Sequence, residues 1–290
     1  MQQISPLLLV AQSRSLIYNT GAFIADGAAW LIDPGMHPDE IAALAAAVQS
    51  RGALIQGMIL THYHWDHIFG PERLPDVPVA AHAHFPATLA AHFAGTVAQI
   101  ARWEAHFGYA RSAPFTAPQL THALAGGATL PLGNHELQII PIPGHAPDQI
   151  AVYDPATATL WAADTLSDQE IPYVSDNLGR YITTLERLSA LPIRTLAPGH
   201  GAPTTDIAAI RARLDADRAY LAELHARVEQ AVAAGTSLEA TVAACASIPL
   251  RYPEQNIAQH QLNVESAYIE LGGPADPTQV GWSRTDLIDE

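Results

Sequence analysis

The stretch Leu60-Thr61-His62-Tyr63-His64-Trp65-Asp66-His67 puts three imidazoles and a carboxylate within six consecutive positions, directly behind the apolar run Gly57-Met58-Ile59-Leu60. A short apolar run between turn signals reads as the end of a buried strand. The ionisable side chains therefore sit on the loop that leaves it. His62 and His64 are two apart, which is wrong for one face of a helix, where zinc-binding pairs such as H-E-x-x-H stand four apart. On a tight loop the same spacing lets both imidazoles turn toward one ion, while Asp66 and His67 face a neighbouring position.

A metal site needs three or four protein ligands per ion, so two ions need more than this loop supplies. Three later segments have the same form, an apolar strand ending in a potential ligand. They are Leu137-Gln138-Ile139-Ile140-Pro141-Ile142-Pro143-Gly144-His145, Leu160-Trp161-Ala162-Ala163-Asp164 and Thr195-Leu196-Ala197-Pro198-Gly199-His200. Two of them carry Pro-Gly before the His, a turn signal that ends the strand and aims the side chain back. Each is weak alone; four strand-end ligand segments in one chain are a strong signal together.

The ordered set H-x-H-x-D-H, His, Asp, His resembles the metallo-β-lactamase superfamily, whose fold is an αββα sandwich with a binuclear site between its sheets. The resemblance covers about residues 17 to 205, and all seven usual ligand positions are filled. It implies that His62, His64 and His145 hold a first metal and that Asp66, His67 and His200 hold a second, with Asp164 bridging. Asn19-Thr20-Gly21-Ala22-Phe23-Ile24 and Trp30-Leu31-Ile32-Asp33-Pro34-Gly35 are similar to the family's opening hairpin. Gly144-His145-Ala146-Pro147-Asp148-Gln149-Ile150 resembles its Gly-His-Ser-Pro-Asp-His-Ile form.

Composition fits a soluble cytoplasmic enzyme. With 290 residues and 49% hydrophobic content, the chain can bury one large core or a core with an appendage. Its 14 basic residues are all Arg, against 29 acidic ones, for a formal charge of −15. That charge repels phosphate backbones, with no basic cluster to offset it, which excludes a nucleic-acid partner and the nuclease branch of the superfamily. The lone Cys245 cannot form an internal disulfide and reads as a small buried residue. Leu7-Leu8-Leu9-Val10 is too short for a signal-peptide core and lacks a basic flank. No apolar stretch reaches the length of a membrane span.

Strands are expected from about residue 7 to 33, then a helix from Pro38 to Gln49 with Pro38 and Asp39 in its first turn. An inserted helix is expected over about 86–107, since Leu89, Phe93, Val97, Ile100, Trp103 and Phe107 recur at helical steps. Strands return between about 129 and 164, and a helix at about 180–190 precedes the strand before His200. Residues 1–205 thus read as the core and 206–290 as a helical extension packed on it. Asp206 is the N-cap of its first helix, a second helix starts near Ser237, a third spans about Glu254 to Leu271, and the tail is irregular from Gly272. Such an extension resembles those of glyoxalase II, acyl-carrier-protein thioesterases and the quinolone-signalling thioesterase-like protein, where it helps wall the substrate pocket, and the overall layout is similar to the quinolone-signalling, lactonase and glyoxalase II branches.

Two adjacent divalent ions lower the pKa of bound water and polarise an acyl carbonyl, so no Ser or Cys nucleophile is needed. The resemblance implies a hydrolase acting on a small-molecule ester, thioester or lactone through a metal-bound hydroxide, with Asp66 passing a proton to the leaving group. Zinc is the first expectation for the ions, and iron or manganese suits the same His and carboxylate donors. Lactonases of the family often carry Tyr three residues after the bridging Asp, where this chain has Ser167; Tyr173 or Tyr181 are the aromatic alternatives. Arg211, Arg213, Arg218, Arg227 and Arg251 are spaced like a solvated face. Two other readings stay open: a mononuclear iron persulfide dioxygenase, and a signalling protein with secondary hydrolase activity. His82 and His84 read as lying outside the ligand set. His37, His92, His106, His122, His135, His225 and His260 read as surface or hydrogen-bonded residues.

Overall fold

A computed structural model of the chain describes residues 1–274. Seven strands form one sheet in sequence order: β1 (Gln2–Gln3), β2 (Leu8–Gln12), β3 (Asn19–Ala25), β4 (Ala28–Ile32), β5 (Leu54–Ile59), β6 (Val79–His82) and β7 (His122–Leu124). Five more form a second sheet in the order β12-β11-β10-β9-β8: β8 (Thr129–Leu132), β9 (His135–Pro141), β10 (Ile150–Asp154), β11 (Thr159–Trp161) and β12 (Thr195–Ala197). The helices are α1 (Pro38–Gln49), the short α2 (Gly70–Arg73), α3 (Phe85–Phe107), α4 (Leu178–Ser189), α5 (Ile207–Ala233), α6 (Leu238–Cys245) and α7 (Pro253–Glu270).

The period-two alternation of the strands sorts their side chains into layers. In β3, Phe23 and Ala25 join the core between the sheets, while Ala22 and Ile24 turn to the outer face covered by α1 and α3. In β10, Ile150 and Val152 point inward, and Ala151 and Tyr153 join the core beneath α4 and α5. The result is a helix-sheet-sheet-helix sandwich. Strands paired in parallel, β4-β5-β6 and β11-β12, end on the same side as their neighbours, which gathers their C-terminal loops at one rim.

The apolar edge of α3 packs mainly into the core: Leu89 and Ile100 are buried over the first sheet, Phe93 and Val97 pack against it, and Trp103 and Phe107 also line the cleft. The cleft meets the opposite face of the helix as well, through Ala91, Gly95, Ala98 and Arg102. Periodicity identifies an apolar edge but not what covers it. One expectation needs correction: the arginines after residue 206 are not all solvated. Arg213 donates to Ala202 O (2.8 Å), and Arg251 donates to Ser167 O and pairs with Asp217.

The last three helices share their core with the second sheet: Leu221, Leu224, Val264 and Tyr268 pack in one cluster with Leu160, Leu185 and Leu196. Asp206 caps α5 by accepting from Ala208 N, and Ser237 caps α6. The expected irregular tail lies, beyond Pro274, outside the described residues. No helix among the described residues is long and apolar enough to cross a membrane.

Candidate metal centre

β4 and β5 run parallel with Ile32 beside Ile59, so the residues just past their ends meet. Asp33, fully buried and at φ 42°, accepts three hydrogen bonds there. They come from Thr61 N (2.8 Å), Thr61 Oγ1 (2.7 Å) and His67 Nδ1 (3.0 Å). Because the Thr61 hydroxyl donates to Asp33, its oxygen accepts from His62 Nδ1 at 3.1 Å. Both imidazoles are thereby set with Nδ1 protonated and Nε2 turned inward, as hydrogen-bonded partners do behind metal-binding histidines.

His145 leaves the end of β9 and donates from Nδ1 to Tyr173 O at 3.0 Å; His200 leaves β12 and donates from Nδ1 to Leu16 O at 3.0 Å. The glycine before each is required by close approach: a Cβ on Gly144, at φ +130°, would run into Tyr181, and one on Gly199 into the Asp164 carboxylate. Asp164 follows β11, and its main-chain carbonyl accepts from Tyr181 Oη at 3.0 Å. The four ligand-bearing segments therefore all leave strand ends at one rim.

There the side chains converge in two groups, His62, His64, His145 and Asp164 in one and Asp66, His67 and His200 in the other, each with donor atoms within 4.8 Å of one another. Asp164 reaches both: Oδ2 lies 3.3 Å from His145 Nε2, 3.6 Å from His62 Nε2 and 3.7 Å from His200 Nε2, and Oδ1 lies 3.3 Å from His67 Nε2. Asp66 Oδ2 stands 3.2 Å from His200 Nε2 and 3.5 Å from His67 Nε2.

The donor set fits cations. The Nε2 lone pairs of His62 and His145 both point at His64 Nδ1, each at 2.9 Å. One proton on His64 can satisfy one of them, whereas a cation satisfies all three. His67 Nε2 and Asp164 Oδ1, both buried, stand 3.3 Å apart without forming a well-directed hydrogen bond, an arrangement that a cation between them would satisfy better. Burial holds His62 and His64 well below the ordinary imidazole range, so both are neutral, the ligating form. Around the second group, burial opposes charge on His67 and His200, but nearby carboxylates outweigh it. Asp164, Asp66 and Asp33 hold His67 well above its ordinary value, and Glu170, Asp164 and Asp66 push His200 up to about 10. Burial alone would raise Asp164, yet His67, His200 and His62 hold it well below the usual carboxylate range. The pocket is thus built around two carboxylates that call for positive charge.

This centre forms the floor of a cleft of about 1660 Å³ walled by α3, α7 and the loop after Asp164. Tyr173 and Tyr181 both line it. Ser167 turns inward, its hydroxyl accepting from Gln169 N and Glu170 N, both at 3.1 Å. His82 and His84 pack on each other at the end of β6, outside both groups. Of the other histidines, His37 is fully buried and bonded to Ser15 Oγ (2.8 Å) and Tyr109 Oη (2.7 Å). Sequence reasoning missed Asp33 and Thr61 as parts of the site; the Asp-Pro-Gly turn after an apolar strand was the available signal.

Residues 16–200 match the metallo-beta-lactamase superfamily. A hydroxyacylglutathione hydrolase of Acidiphilium cryptum is 28% identical over 250 residues, spanning 84% of this chain and 88% of its own length. The probable metallo-hydrolase YqgX of Bacillus subtilis is 27% identical over 198 residues, spanning 65% of this chain and 87% of its own. Among solved structures, the metallo-beta-lactamase family protein TTHA1429 from Thermus thermophilus is similar at a TM-score of 0.64 and 20% identity, over 95% of this chain and 98% of that one. TTHA1623, crystallised in a di-iron-bound form, is similar at a TM-score of 0.51 and 28% identity, over 68% of this chain and 94% of that one.

Proposed function

The chain belongs to the metallo-β-lactamase superfamily, and on that premise we propose that it is a binuclear metallo-hydrolase that cleaves an acyl thioester, ester or lactone. The observation that carries this reading is the pair of donor groups, with Asp164 within reach of both, on the floor of a large cleft. The thioester stands first because the Acidiphilium relative is a hydroxyacylglutathione hydrolase, and such a substrate is a thioester. We read residues 1–205 as the hydrolase core and the helices from 206 onward as an extension packed on it.

His62, His64 and His145 would hold one divalent ion, Asp66, His67 and His200 the other, with Asp164 shared. Such a pair supplies a Lewis acid for the acyl carbonyl and an acidified water near neutral pH. The protein does the rest. Asp33 and Thr61 keep the His67 and His62 rings in the ligating tautomer. The Asp66 carboxylate, which lines the cleft, passes a proton to the leaving group. Trp103 and Ile171 exclude water, while Ala91, Gly95 and Ala98 leave room for an acyl chain that can pass toward the apolar rim at Leu16, Phe107 and Ile257. Imidazole and carboxylate donors suit zinc, iron or manganese; zinc remains the first expectation, and the di-iron form of TTHA1623 supports iron as well.

The test is a panel of acyl thioesters, p-nitrophenyl esters and lactones at fixed leaving group and varied acyl length, with metal-replete protein. Each methylene buried in the cleft is worth about 0.8 kcal/mol, or about fourfold, so kcat/KM should rise with length and then fall when the cleft is full. A flat profile joined to preference for a phosphodiester would overturn the acyl-substrate reading. Persulfide oxidation by a one-iron protein would replace it with the dioxygenase.

A further inference from the structure

Residues 162–177, which carry Asp164 and wall one side of the cleft, form neither helix nor strand, yet Thr165, Leu166, Ile171 and Val174 are buried. Main-chain groups removed from water in such a segment need partners, and α7 supplies them. Asn256 Oδ1 accepts from Ile171 N (3.1 Å) while its Nδ2 donates to Gln169 O (3.0 Å), and Gln259 Nε2 donates to Ile171 O (3.2 Å). Asn263 Oδ1 accepts from Val174 N (2.8 Å) and its Nδ2 donates to Pro172 O (2.7 Å). Glu270 accepts from Leu178 N (2.6 Å) and Gly179 N (3.1 Å), capping the first turn of α4. Asn256, Asn263 and Glu270 stand seven residues apart, so they share nearly one face of the helix.

Between the two main-chain atoms held by Asn263 lies the carbonyl of Tyr173, the acceptor for His145 Nδ1. Beyond Val174 the segment closes around the same histidine: Ser175 Oγ donates to His145 O, and Asp176 N and Asn177 N donate to Gly144 O at 3.1 and 3.2 Å. Asn263 is itself fully buried, and its amide also donates to Tyr220 Oη at 2.9 Å. A carboxamide costs free energy to bury unless its hydrogen bonds are used, and an apolar residue would serve simple helix packing better.

We propose that Asn263 of the C-terminal extension is a positioning residue for His145. By clasping the residues on either side of Tyr173 it fixes the carbonyl that holds the His145 Nδ1–H, and so keeps Nε2 aimed into the metal centre. The extension then does more than wall the cleft: it tunes a ligand. This inference rests on the proposed role of His145 as a metal ligand.

The test compares Asn263→Ala with Asn256→Ala in the full-length protein. Asn256 clasps the same segment upstream of Tyr173, so its loss reports a structural role without the link to His145. Circular dichroism checks the fold, chelator competition with metal analysis measures the affinity of each ion, and the visible spectrum of Co(II)-substituted protein reads the ligand field. Asn263→Ala should weaken one of the two ions by up to about 10-fold, the lower end of what losing the direct partner of a ligand does, because Asn263 acts through the Tyr173 carbonyl. It should also shift the Co(II) spectrum and lower kcat with little change in KM. Asn256→Ala should leave both affinities within about twofold of wild type. If Asn263→Ala does not fold, Asn263→Ser, which keeps one hydroxyl for this segment, should show the same selective loss to a smaller degree. Wild-type protein that holds no ion overturns the functional reading and this inference with it. A folded Asn263 variant with both ions at wild-type affinity, or with the same profile as Asn256→Ala, overturns the inference alone.

Discussion

Replacing Asp33 with Asn keeps the size of the side chain and removes the property the site uses. The carboxylate accepts three hydrogen bonds at 2.7–3.0 Å with no exposure to water. The amide has one oxygen, which can keep the Thr61 N bond; its NH2 faces the Thr61 hydroxyl and His67 Nδ1, both donors in the native arrangement. Buried hydrogen bonds to a charged group are worth about 1.5–3 kcal/mol each, so losing two should destabilise the metal-free protein by about 3–6 kcal/mol. The ring of His67 also loses the partner that fixes its tautomer, which should weaken the second ion by about 10- to 100-fold. The ion on His62, His64 and His145 should be affected less, since Thr61 Oγ1 still accepts from His62. Urea unfolding of the metal-free variant measures the first effect and chelator competition the second. A variant within about 1 kcal/mol of wild type that holds both ions normally would refute the role assigned to Asp33.

Other outcomes follow from the same geometry. His200→Ala should weaken the second ion and leave the first, whereas Asp164→Ala should weaken both, because its carboxylate reaches both groups; equal loss of the two ions from the His200 variant, read by metal analysis, would contradict this division. Gly95 lies inside α3, and a Cβ there meets nothing within 4 Å, so Gly95→Leu should raise thermal stability by up to about 1 kcal/mol. The same change should shorten the longest acyl chain accepted; an unchanged chain-length profile would remove α3 from the cleft wall. His260 is buried, accepting from Tyr220 Oη and donating to Cys245 O, and burial holds its pKa below the ordinary 6.5. Unfolding therefore takes up a proton, and the stability this neutral ring contributes is present above pH 6.5 and lost as pH falls below it. His260→Gln should flatten that acid limb by up to about 1.4 kcal/mol per pH unit, and parallel stability curves for the two proteins would show that His260 does not titrate as described.

The metal loop was readable because three kinds of local signal coincide in it: an apolar strand, a run of ionisable side chains and a spacing that no helix can use. Pro-Gly before His145 and His200 signals the turn for the same reason, and the close approach to Tyr181 and Asp164 explains why glycine stands there. Helix ends were legible where a side chain caps them, as at Asp206 and Ser237. Relations between distant segments were not legible. Asp33 looks like any turn residue until β5 is laid beside β4 and brings Thr61 against it. The heptad of Asn256, Asn263 and Glu270 looks like an ordinary polar face until the segment after Asp164 runs along it. Arg213 looked solvated because spacing along a helix carries no information about a loop folding over it, and Arg251 because it lies not on a helix but in the turn between α6 and α7, where it reaches Ser167 and Asp217.

The central claim is that seven side chains hold two ions that together perform the chemistry. Titrating metal-free protein with a divalent metal, while following bound metal and thioester hydrolysis in the same samples, tests it most directly. The account predicts about two ions bound per chain, with full activity only once the second is in place. Saturation at one ion per chain, or full hydrolysis with none bound, would contradict it.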